Sequence, residues 1–193
     1  MHLALSTGSL RSWHDDDAPA LAEHANNINV WRTLRDHMPH PYTLAHAEEY
    51  LRKVQHQQPE LSLCIDVDGR AVGGISLHPS EDVHRLTAEL GYWLAEPFWG
   101  RGIATAAVNA IVGHGFALLP LVRIEAHVFA NNPASARVLE KAGFTFEGRL
   151  ARNVIKEGRI LDSLVYSRLR DDEVARDPHA ANLLGWTQPL RTA

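Results

Sequence analysis

A glycine-rich turn between an apolar strand and a long helix constrains the fold of this chain more than any other feature. The turn reads Trp99-Gly100-Arg101-Gly102-Ile103-Ala104-Thr105, and it follows the apolar run Leu90-Gly91-Tyr92-Trp93-Leu94. Glycine lets the backbone approach an anion closely, and the first N–H groups and the dipole of a helix point toward that anion. The pattern predicts a phosphate-binding turn, although a similar turn also forms wherever a strand simply has to meet a helix.

A second element downstream has the features of a capped helix. Asn132-Pro133-Ala134-Ser135 places a side-chain acceptor and a proline at a helix start, and Lys141-Ala142-Gly143 places a glycine at its end. Asn132 is predicted to cap this helix. The Ser135 hydroxyl has two interpretations, a local cap of the helix or a donor that faces a ligand.

Hydrophobic periodicity and turn residues predict an α/β fold with a mixed, largely antiparallel twisted sheet that is flanked by helices. The sheet is expected to be parallel near the ligand and antiparallel at its margins. One domain is expected over residues 1–170, followed by a C-terminal tail, 171–193, whose role the sequence does not reveal. Strands are predicted at 2–13, 61–67, 71–77, 87–94, 122–129, 144–155 and 159–169, and helices at 20–26, 28–36, 44–57, 102–118 and 133–142.

Composition excludes several classes of protein. A net charge of −4 gives no basic footprint for nucleic acid, and no segment has the length and apolarity of a membrane span or a secretory signal. We therefore expect a cytoplasmic protein with neither a nucleic-acid nor a membrane partner. The only cysteine, Cys64, lies in a predicted strand, where a buried inert thiol is favoured over a nucleophile. The 12 histidines have no metal-ligand spacing, so no metal is expected.

Four segments carry a family resemblance. They are Glu89-Leu90-Gly91-Tyr92-Trp93-Leu94, Phe98-Trp99-Gly100-Arg101-Gly102-Ile103-Ala104-Thr105, Asn132-x-x-Ser135 and Arg159-Ile160-Leu161-Asp162-Ser163-Leu164-Val165-Tyr166. Together they resemble the GCN5-related N-acetyltransferase (GNAT) superfamily, and within it the branch that includes ribosomal-protein N-terminal acetyltransferases.

The resemblance implies that acetyl-coenzyme A (acetyl-CoA) is the acetyl donor. It implies that the pyrophosphate binds at the glycine turn and that the pantetheine arm lies beside the helix that starts at Asn132. The expected coenzyme-binding residues are Trp93, Leu94, Gly100, Arg101, Gly102, Ala104, Thr105, Asn132 and Ser135. One departure is visible, because the superfamily often has Gln or Arg three residues before the glycine that is Gly102 here, where this chain has Trp99.

The implied reaction is attack of a neutral amine on the acetyl thioester, which needs a group to take a proton from the amine and a donor for the departing thiolate. Glu89 is the candidate base, because its strand leads into the glycine turn; the alternative is an ion-paired strand carboxylate. Ser135 is the candidate donor on the thiol side. Gly91 marks either a β-bulge that opens the sheet or a packing glycine, and Arg101 either contacts the phosphates or is a solvated surface residue.

Other side chains are weaker candidates for the acceptor side. His78 either lines the cleft or lies on a surface loop. Trp31, Tyr42 and Trp93 either shape an acceptor pocket or belong to the core.

The function predicted from these observations is transfer of acetyl from acetyl-CoA to an amine, with a protein or peptide N-terminal α-amine as acceptor and a small amine as the close alternative. A coenzyme A-binding module without catalysis is a rival hypothesis. A dinucleotide-binding oxidoreductase is disfavoured, because the turn lacks the full Gly-x-Gly-x-x-Gly pattern. The sequence leaves the oligomeric state open, a homodimer included.

Overall fold

The computed structural model describes residues 1–170, which form eight strands and five α-helices. The tail predicted at 171–193 lies outside the described residues. The strands are β1 (His2–Ala4), β2 (Ser9–Arg11), β3 (Ser62–Val67), β4 (Arg70–Pro79), β5 (Thr87–Leu94), β6 (Arg123–Phe129), β7 (Thr145–Lys156) and β8 (Arg159–Leu169). The helices are α1 (Ala18–Ala25), α2 (Ile28–Trp31), α3 (Leu44–Val54), α4 (Ile103–Leu118) and α5 (Pro133–Lys141).

The strands form one sheet in the order β1-β2-β3-β4-β5-β6-β8-β7. β5 and β6 pair in parallel, and the other neighbours pair antiparallel. This confirms the predicted α/β class with a mixed, largely antiparallel sheet that is parallel only at its centre.

The prediction of a single strand over residues 2–13 is wrong, because the chain reverses there and forms β1 and β2. Gly8 has φ of +91°, and the Leu5 N–H donates to the Gly8 carbonyl oxygen over 3.0 Å. A Cβ at Gly8 would lie 2.0 Å from the Asp66 carbonyl oxygen of β3. The reversal therefore depends on glycine both for its left-handed backbone conformation and for the close approach of β3.

Two helices on the amino-terminal side are shorter than predicted. α2 ends at Trp31 rather than near residue 36, because the chain tightens into turns in which Thr33 and Leu34 donate to carbonyls three residues back. Thr43 caps α3 as expected, and its hydroxyl accepts from the His46 N–H at 3.3 Å. α3 ends at Val54, and Leu44, predicted on its apolar face, is 48% exposed.

The helices cover both faces of the sheet, each over its own hydrophobic core. α4 and α5 bury Ile103, Ala107, Ile111 and Leu139 against the central strands. On the opposite face, α1 and α3 pack with Trp13 and Cys64. Cys64 is fully buried, and burial raises the pKa of its thiol, as expected for an inert side chain. No helix within residues 1–170 has the length and apolarity needed to cross a membrane.

Two glycines in α4 offer a matched test of this packing. A Cβ at Gly115 would lie 2.4 Å from Cδ1 of the buried Leu77, whereas nothing lies within 4 Å of a Cβ at Gly113. We expect Gly113→Ala to stabilise the fold by about 0.5–1 kcal/mol through helix propensity. Gly115→Ala should destabilise it by about 1–3 kcal/mol through overpacking. Urea unfolding of both variants measures the difference, and equal shifts in the free energy of unfolding would contradict this account of the α4–sheet interface.

Candidate active site

The central feature of the site is a gap between β5 and β6. Pairing of these parallel strands is confined to Thr87 with Arg123, Ala88 with Ile124 and Glu89 with Glu125. Beyond Glu89, β5 continues to pair with β4, and β6 continues to pair with β8. The gap therefore opens toward the carboxyl ends of two parallel strands, which is where ligands bind in open α/β sheets.

Gly91 does not form a bulge. The register between β4 and β5 runs without a break from Gly73–Leu94 to Pro79–Ala88, with Gly91 opposite Ser76. A Cβ at Gly91 would lie 3.5 Å from Ser76 Oγ, an ordinary contact distance. The opening of the sheet comes from the end of the β5–β6 pairing, so the bulge interpretation is wrong.

The glycine turn lies at one rim of the gap. Gly100 and Gly102 have φ of +74° and +78°, and nothing lies within 4 Å of a Cβ built on either residue. The Ala106 N–H donates to the Gly102 carbonyl oxygen at 3.0 Å, so the N–H groups of Ile103, Ala104 and Thr105 precede the first hydrogen bond of α4. The turn thus combines open space with free backbone donors at a helix N-terminus, which suits an anion.

Side chains next to the glycine turn form contacts that fix its position. The Trp99 indole N–H donates to the Leu94 carbonyl oxygen at 2.7 Å, so Trp99 braces the turn. The Arg101 guanidinium lies 5.3 Å from the Phe98 ring centre, and it has no ion pair within residues 1–170. Glu96, just before the turn, accepts from the side-chain amides of Asn27 at 2.8 Å and Asn29 at 3.0 Å. These bonds tie the turn to α2.

The start of α5 lies at the opposite rim of the gap. The Asn132 side chain accepts from the Ser135 N–H at 3.2 Å, which confirms Asn132 as the cap of α5. The Ser135 hydroxyl is 2.7 Å from the Tyr92 hydroxyl of β5. Burial raises the pKa of Tyr92 to about 12, so this phenol stays protonated near neutral pH. Ser135 is therefore part of a hydroxyl pair at the gap, and the capping role belongs to Asn132.

The other end of the gap carries the titratable side chains. Glu89 forms an ion pair with Arg35, whose Nη1 lies 3.3 Å from Glu89 Oε2. His78 is the cross-strand neighbour of Glu89, and its Nε2 lies 2.8 Å from Ser76 Oγ. The cleft wall removes part of the hydration of His78, which lowers its pKa, while Glu89 opposes this effect.

The chain segment that carries Arg35 is held in place by the β7–β8 hairpin. Lys156, at the end of β7, is buried to 3% exposure and lies 2.6 Å from Asp36 Oδ1. Its Nζ also lies 3.5 Å from the centre of the Trp31 ring. Trp31 therefore forms a cation–π contact with Lys156 outside the cleft, whereas Tyr42 and Trp93 line the cleft itself.

These parts enclose one cleft of about 1220 Å³, which is large enough for more than one small molecule. All ten residues predicted to be catalytic or coenzyme-binding line it. They are Glu89, Trp93, Leu94, Gly100, Arg101, Gly102, Ala104, Thr105, Asn132 and Ser135. The structure thus brings together residues from β5, α4 and α5 that the sequence places up to 46 positions apart, from Glu89 to Ser135.

The sequence of the same region matches a known family model. Residues 9–145 match the acetyltransferase (GNAT) domain, which is well over half of the chain. The chain belongs to the GNAT family of acetyltransferases. The match includes β5, the glycine turn, α4 and α5, so the elements that surround the gap are those of a GNAT domain.

Several relatives are similar to this GNAT chain over different lengths. YoaA of Bacillus subtilis (strain 168), named an uncharacterized N-acetyltransferase, is 38% identical over 102 residues, which cover 53% of this chain and 57% of YoaA. Spermidine N(1)-acetyltransferase of Vibrio cholerae is 28% identical over 161 residues, which cover 82% of this chain and 86% of that enzyme. The chain spans about half the length of four curated Bacillus relatives that it matches, between 47% and 59%.

The fold is shared with solved GNAT structures. RimL, the ribosomal L7/L12 α-N-protein acetyltransferase, in complex with coenzyme A, superposes with a TM-score of 0.78 at 22% identity. The superposition covers 89% of this chain and 99% of RimL. At this identity the likeness shows the GNAT fold.

Sequence reasoning missed Tyr92 and Arg35, which line the cleft, and Lys156, which holds the segment of Arg35 from outside. Tyr92 was visible in the strand, where alternation places it on the face opposite Trp93 and toward α5. Arg35 and Lys156 gave no local signal, because their partners Glu89 and Asp36 are 54 and 120 residues away. Across residues 1–170, no group of three or more His, Cys, Asp or Glu side chains is arranged to hold a metal ion.

Proposed function

We propose that this GNAT chain is an acetyl-CoA-dependent N-acetyltransferase that acts on the N-terminal α-amine of a protein or peptide. The observation that carries the proposal is the single cleft in which an anion-binding turn, a gap in the sheet and an ion-paired carboxylate meet. A small amine is the alternative acceptor, as in the spermidine acetyltransferase relative.

The residues present fit the coenzyme. Gly100 and Gly102 leave open space where phosphate oxygens need to approach, and the N–H groups of Ala104 and Thr105 supply donors. Arg101 adds a cation without an ion pair in the described residues. The gap bounded by Trp93, Leu94 and the Asn132–Ser135 turn suits the amide groups of a pantetheine arm, because unpaired backbone groups of the two strands face it.

Acetyl-CoA supplies the acetyl thioester that the acceptor amine attacks. On the acceptor side, Glu89 is the carboxylate that meets the ammonium group and takes its proton, directly or through water. Arg35 forms an ion pair with the same carboxylate. The ammonium group of the acceptor therefore replaces the Arg35 guanidinium at Glu89. On the thiol side, the Ser135 hydroxyl donates a proton to the departing sulfur, and the Tyr92 hydroxyl, 2.7 Å away, is close enough to return a proton to Ser135.

The charges of the cleft favour an acceptor with a single cationic group. Within the described residues, two carboxylates line the cleft, Glu49 and Glu89, and Glu89 is already paired with Arg35. A polyamine carries several positive charges that need several carboxylates. Lys53 also lines the cleft, and it has no ion pair within residues 1–170. Its positive charge repels a second cationic group of an acceptor. A peptide α-amine meets these conditions.

The experiment that tests this function compares acceptors directly. Purified protein is incubated with acetyl-CoA and with matched libraries of peptides and small amines, and both thiol release and product mass are measured. Acetylated peptide N-termini support the proposal, and acetylated polyamines favour the alternative acceptor. Tight coenzyme binding without any product would show a binding module and contradict the proposal.

Gly102→Val tests the placement of the coenzyme phosphates. The valine side chain fills the open space above the turn, so we expect affinity for acetyl-CoA to fall at least about tenfold, a loss of about 1.4 kcal/mol. Gly69→Val is the matched control, because Gly69 has the same φ of +78° and the same open surroundings in the β3–β4 hairpin. Calorimetry on both folded variants measures their affinity for acetyl-CoA. Unchanged affinity in Gly102→Val would rule out this placement of the phosphates.

Ser135→Ala tests the thiol side of the reaction. Coenzyme binding rests on many phosphate contacts, so affinity for acetyl-CoA should stay within about threefold of wild type. Turnover should fall by about 100-fold, the usual size of a lost acid catalyst. Tyr92→Phe keeps the ring and removes the hydroxyl behind Ser135, and a smaller decrease is expected. Wild-type turnover in Ser135→Ala, measured by steady-state thiol release, would remove Ser135 from the mechanism.

Glu89→Gln tests the acceptor side. The change keeps size and removes basicity, so turnover at neutral pH should fall by about 100-fold to 10,000-fold. Raising the pH should partly restore it, because more acceptor arrives already neutral. Glu125→Gln is the matched control, since Glu125 is the β6 neighbour of Glu89 and pairs with Arg123. Single-turnover rates across pH provide the measurement, and equal rates for wild type and Glu89→Gln would leave Glu89 as a structural carboxylate.

A further inference from the structure

The end of the cleft that holds Glu89 and Arg35, the acceptor end, contains a second titratable group with no role in the proposed reaction. His78 lies beside Glu89 on the neighbouring antiparallel strand, and both residues line the cleft. Directly opposed residues on one face of an antiparallel pair have Cβ atoms about 4.5–5.5 Å apart. The two side chains are therefore neighbours on one face of the sheet, and the negative charge of Glu89 favours a protonated His78.

A carboxylate alone is a poor final acceptor for the proton of an α-amine. In unfolded peptides the pKa is about 7.7–8.0 for an α-amino group, about 4.3 for a glutamate carboxyl and about 6.5 for a histidine imidazole. A carboxylic acid is in general a stronger acid than an imidazolium, and Glu89 is needed as an anion for the next acceptor and for Arg35. An imidazole next to Glu89 accepts that proton more readily than water does.

His78 has the surroundings of such an acceptor. Its pKa is lowered by lost hydration, so the ring is mostly neutral near pH 7 and able to take a proton. The groups that face it are Glu89 on β5, Arg35 and His37 in the segment after α2, and Lys53 on α3. Glu89 favours the protonated ring, and Arg35, His37 and Lys53 disfavour it. The proton that arrives at His78 is therefore released again to solvent.

Ser76 orients the ring. Its Oγ lies 2.8 Å from His78 Nε2, and the absence of a side chain at Gly91 leaves this pair open to the gap. When Nε2–H donates to Ser76 Oγ, the lone pair of Nδ1 is free to accept a proton. We propose that Glu89 and His78 form a two-step proton relay, in which His78 takes from Glu89 the proton that the acceptor amine gives up.

The relay rests on the acetyltransferase function proposed above, and it moves one proton from the acceptor to bulk water. An N–H bond of the acceptor ammonium breaks, and its proton forms an O–H bond on the Glu89 carboxylate. That O–H bond then breaks as an N–H bond forms on Nδ1 of His78, which restores the carboxylate and leaves an imidazolium. The imidazolium loses its proton to bulk water, and both groups return to their starting states.

Chemical rescue tests the relay in the full-length chain. With an acceptor peptide that wild type acetylates, His78→Ala should lower single-turnover rates at pH 7 by about 100-fold. Affinity for acetyl-CoA should not change, and added imidazole should restore part of the rate. His84→Ala is the control, since it removes an exposed histidine outside the cleft, and it should behave as wild type. A wild-type rate in His78→Ala, or a loss that imidazole does not restore at any pH, would overturn the relay.

A double variant separates a relay from two independent roles. Groups that act as one unit are not additive, so Glu89→Gln/His78→Ala should be no slower than Glu89→Gln alone. Multiplied losses would contradict the relay. NMR titration of His78 gives a readout without turnover, and its pKa should fall in Glu89→Gln because the opposing negative charge is gone. An unchanged His78 pKa also counts against the relay. Failure of wild type to acetylate any amine would instead overturn the proposed function and the relay together.

Discussion

The divergence of β5 from β6 after Glu89 is the constraint on which the rest of the cleft depends. Only three residue pairs join these strands, although each strand keeps its other neighbour along its length. Backbone groups that face the gap have no sheet partner there, and an unpaired buried polar group costs about 1–3 kcal/mol. A ligand that enters the gap can form hydrogen bonds with those groups. The helices that follow the two strands also begin at the rims of the gap, so donors of two helix N-termini face the same space.

Holding the gap open requires contacts between segments that are distant in the chain. Glu96 ties the glycine turn to Asn27 and Asn29 at α2, and Lys156 ties the β7–β8 hairpin to Asp36 and Trp31. A desolvated cation over an aromatic ring is worth about 2 kcal/mol, so the Lys156 contact is strong enough to fix the segment that presents Arg35. The side of the cleft that holds Glu89 and Arg35 is thus assembled from both ends of the described chain, whereas the predicted coenzyme-binding residues all lie between Trp93 and Ser135.

This difference explains which parts of the molecule the sequence could predict. The glycine turn and the Asn132 cap are each encoded within a few residues, and the bounds of β8 were predicted without error. The reversal at Gly8 was missed, because its reason is the close approach of Asp66 on a strand more than fifty residues later. The pairing of Tyr92 with Ser135 and of Arg35 with Glu89 is equally invisible in sequence, because strand order decides it. Local sequence therefore predicted the glycine turn and the Asn132 cap, and only the fold revealed the contacts of Arg35 with Glu89 and of Tyr92 with Ser135.

The Arg35–Glu89 ion pair also allows the proposed acceptor to bind by replacing one cation at Glu89 with another. A cationic amine that displaces the Arg35 guanidinium leaves the Glu89 carboxylate with one positive partner before and after binding. Arg35 is 55% exposed on its side chain, and it can return to water with little loss. A neutral ligand makes no such exchange and leaves the ion pair in place. Once the amine has given up its proton, it is no longer attracted to Glu89 by its charge. Its lone pair then becomes available at the side of the gap where the thioester is expected to lie. In the proposed mechanism, the ion pair that favours a cationic acceptor therefore also helps to free the amine as the nucleophile.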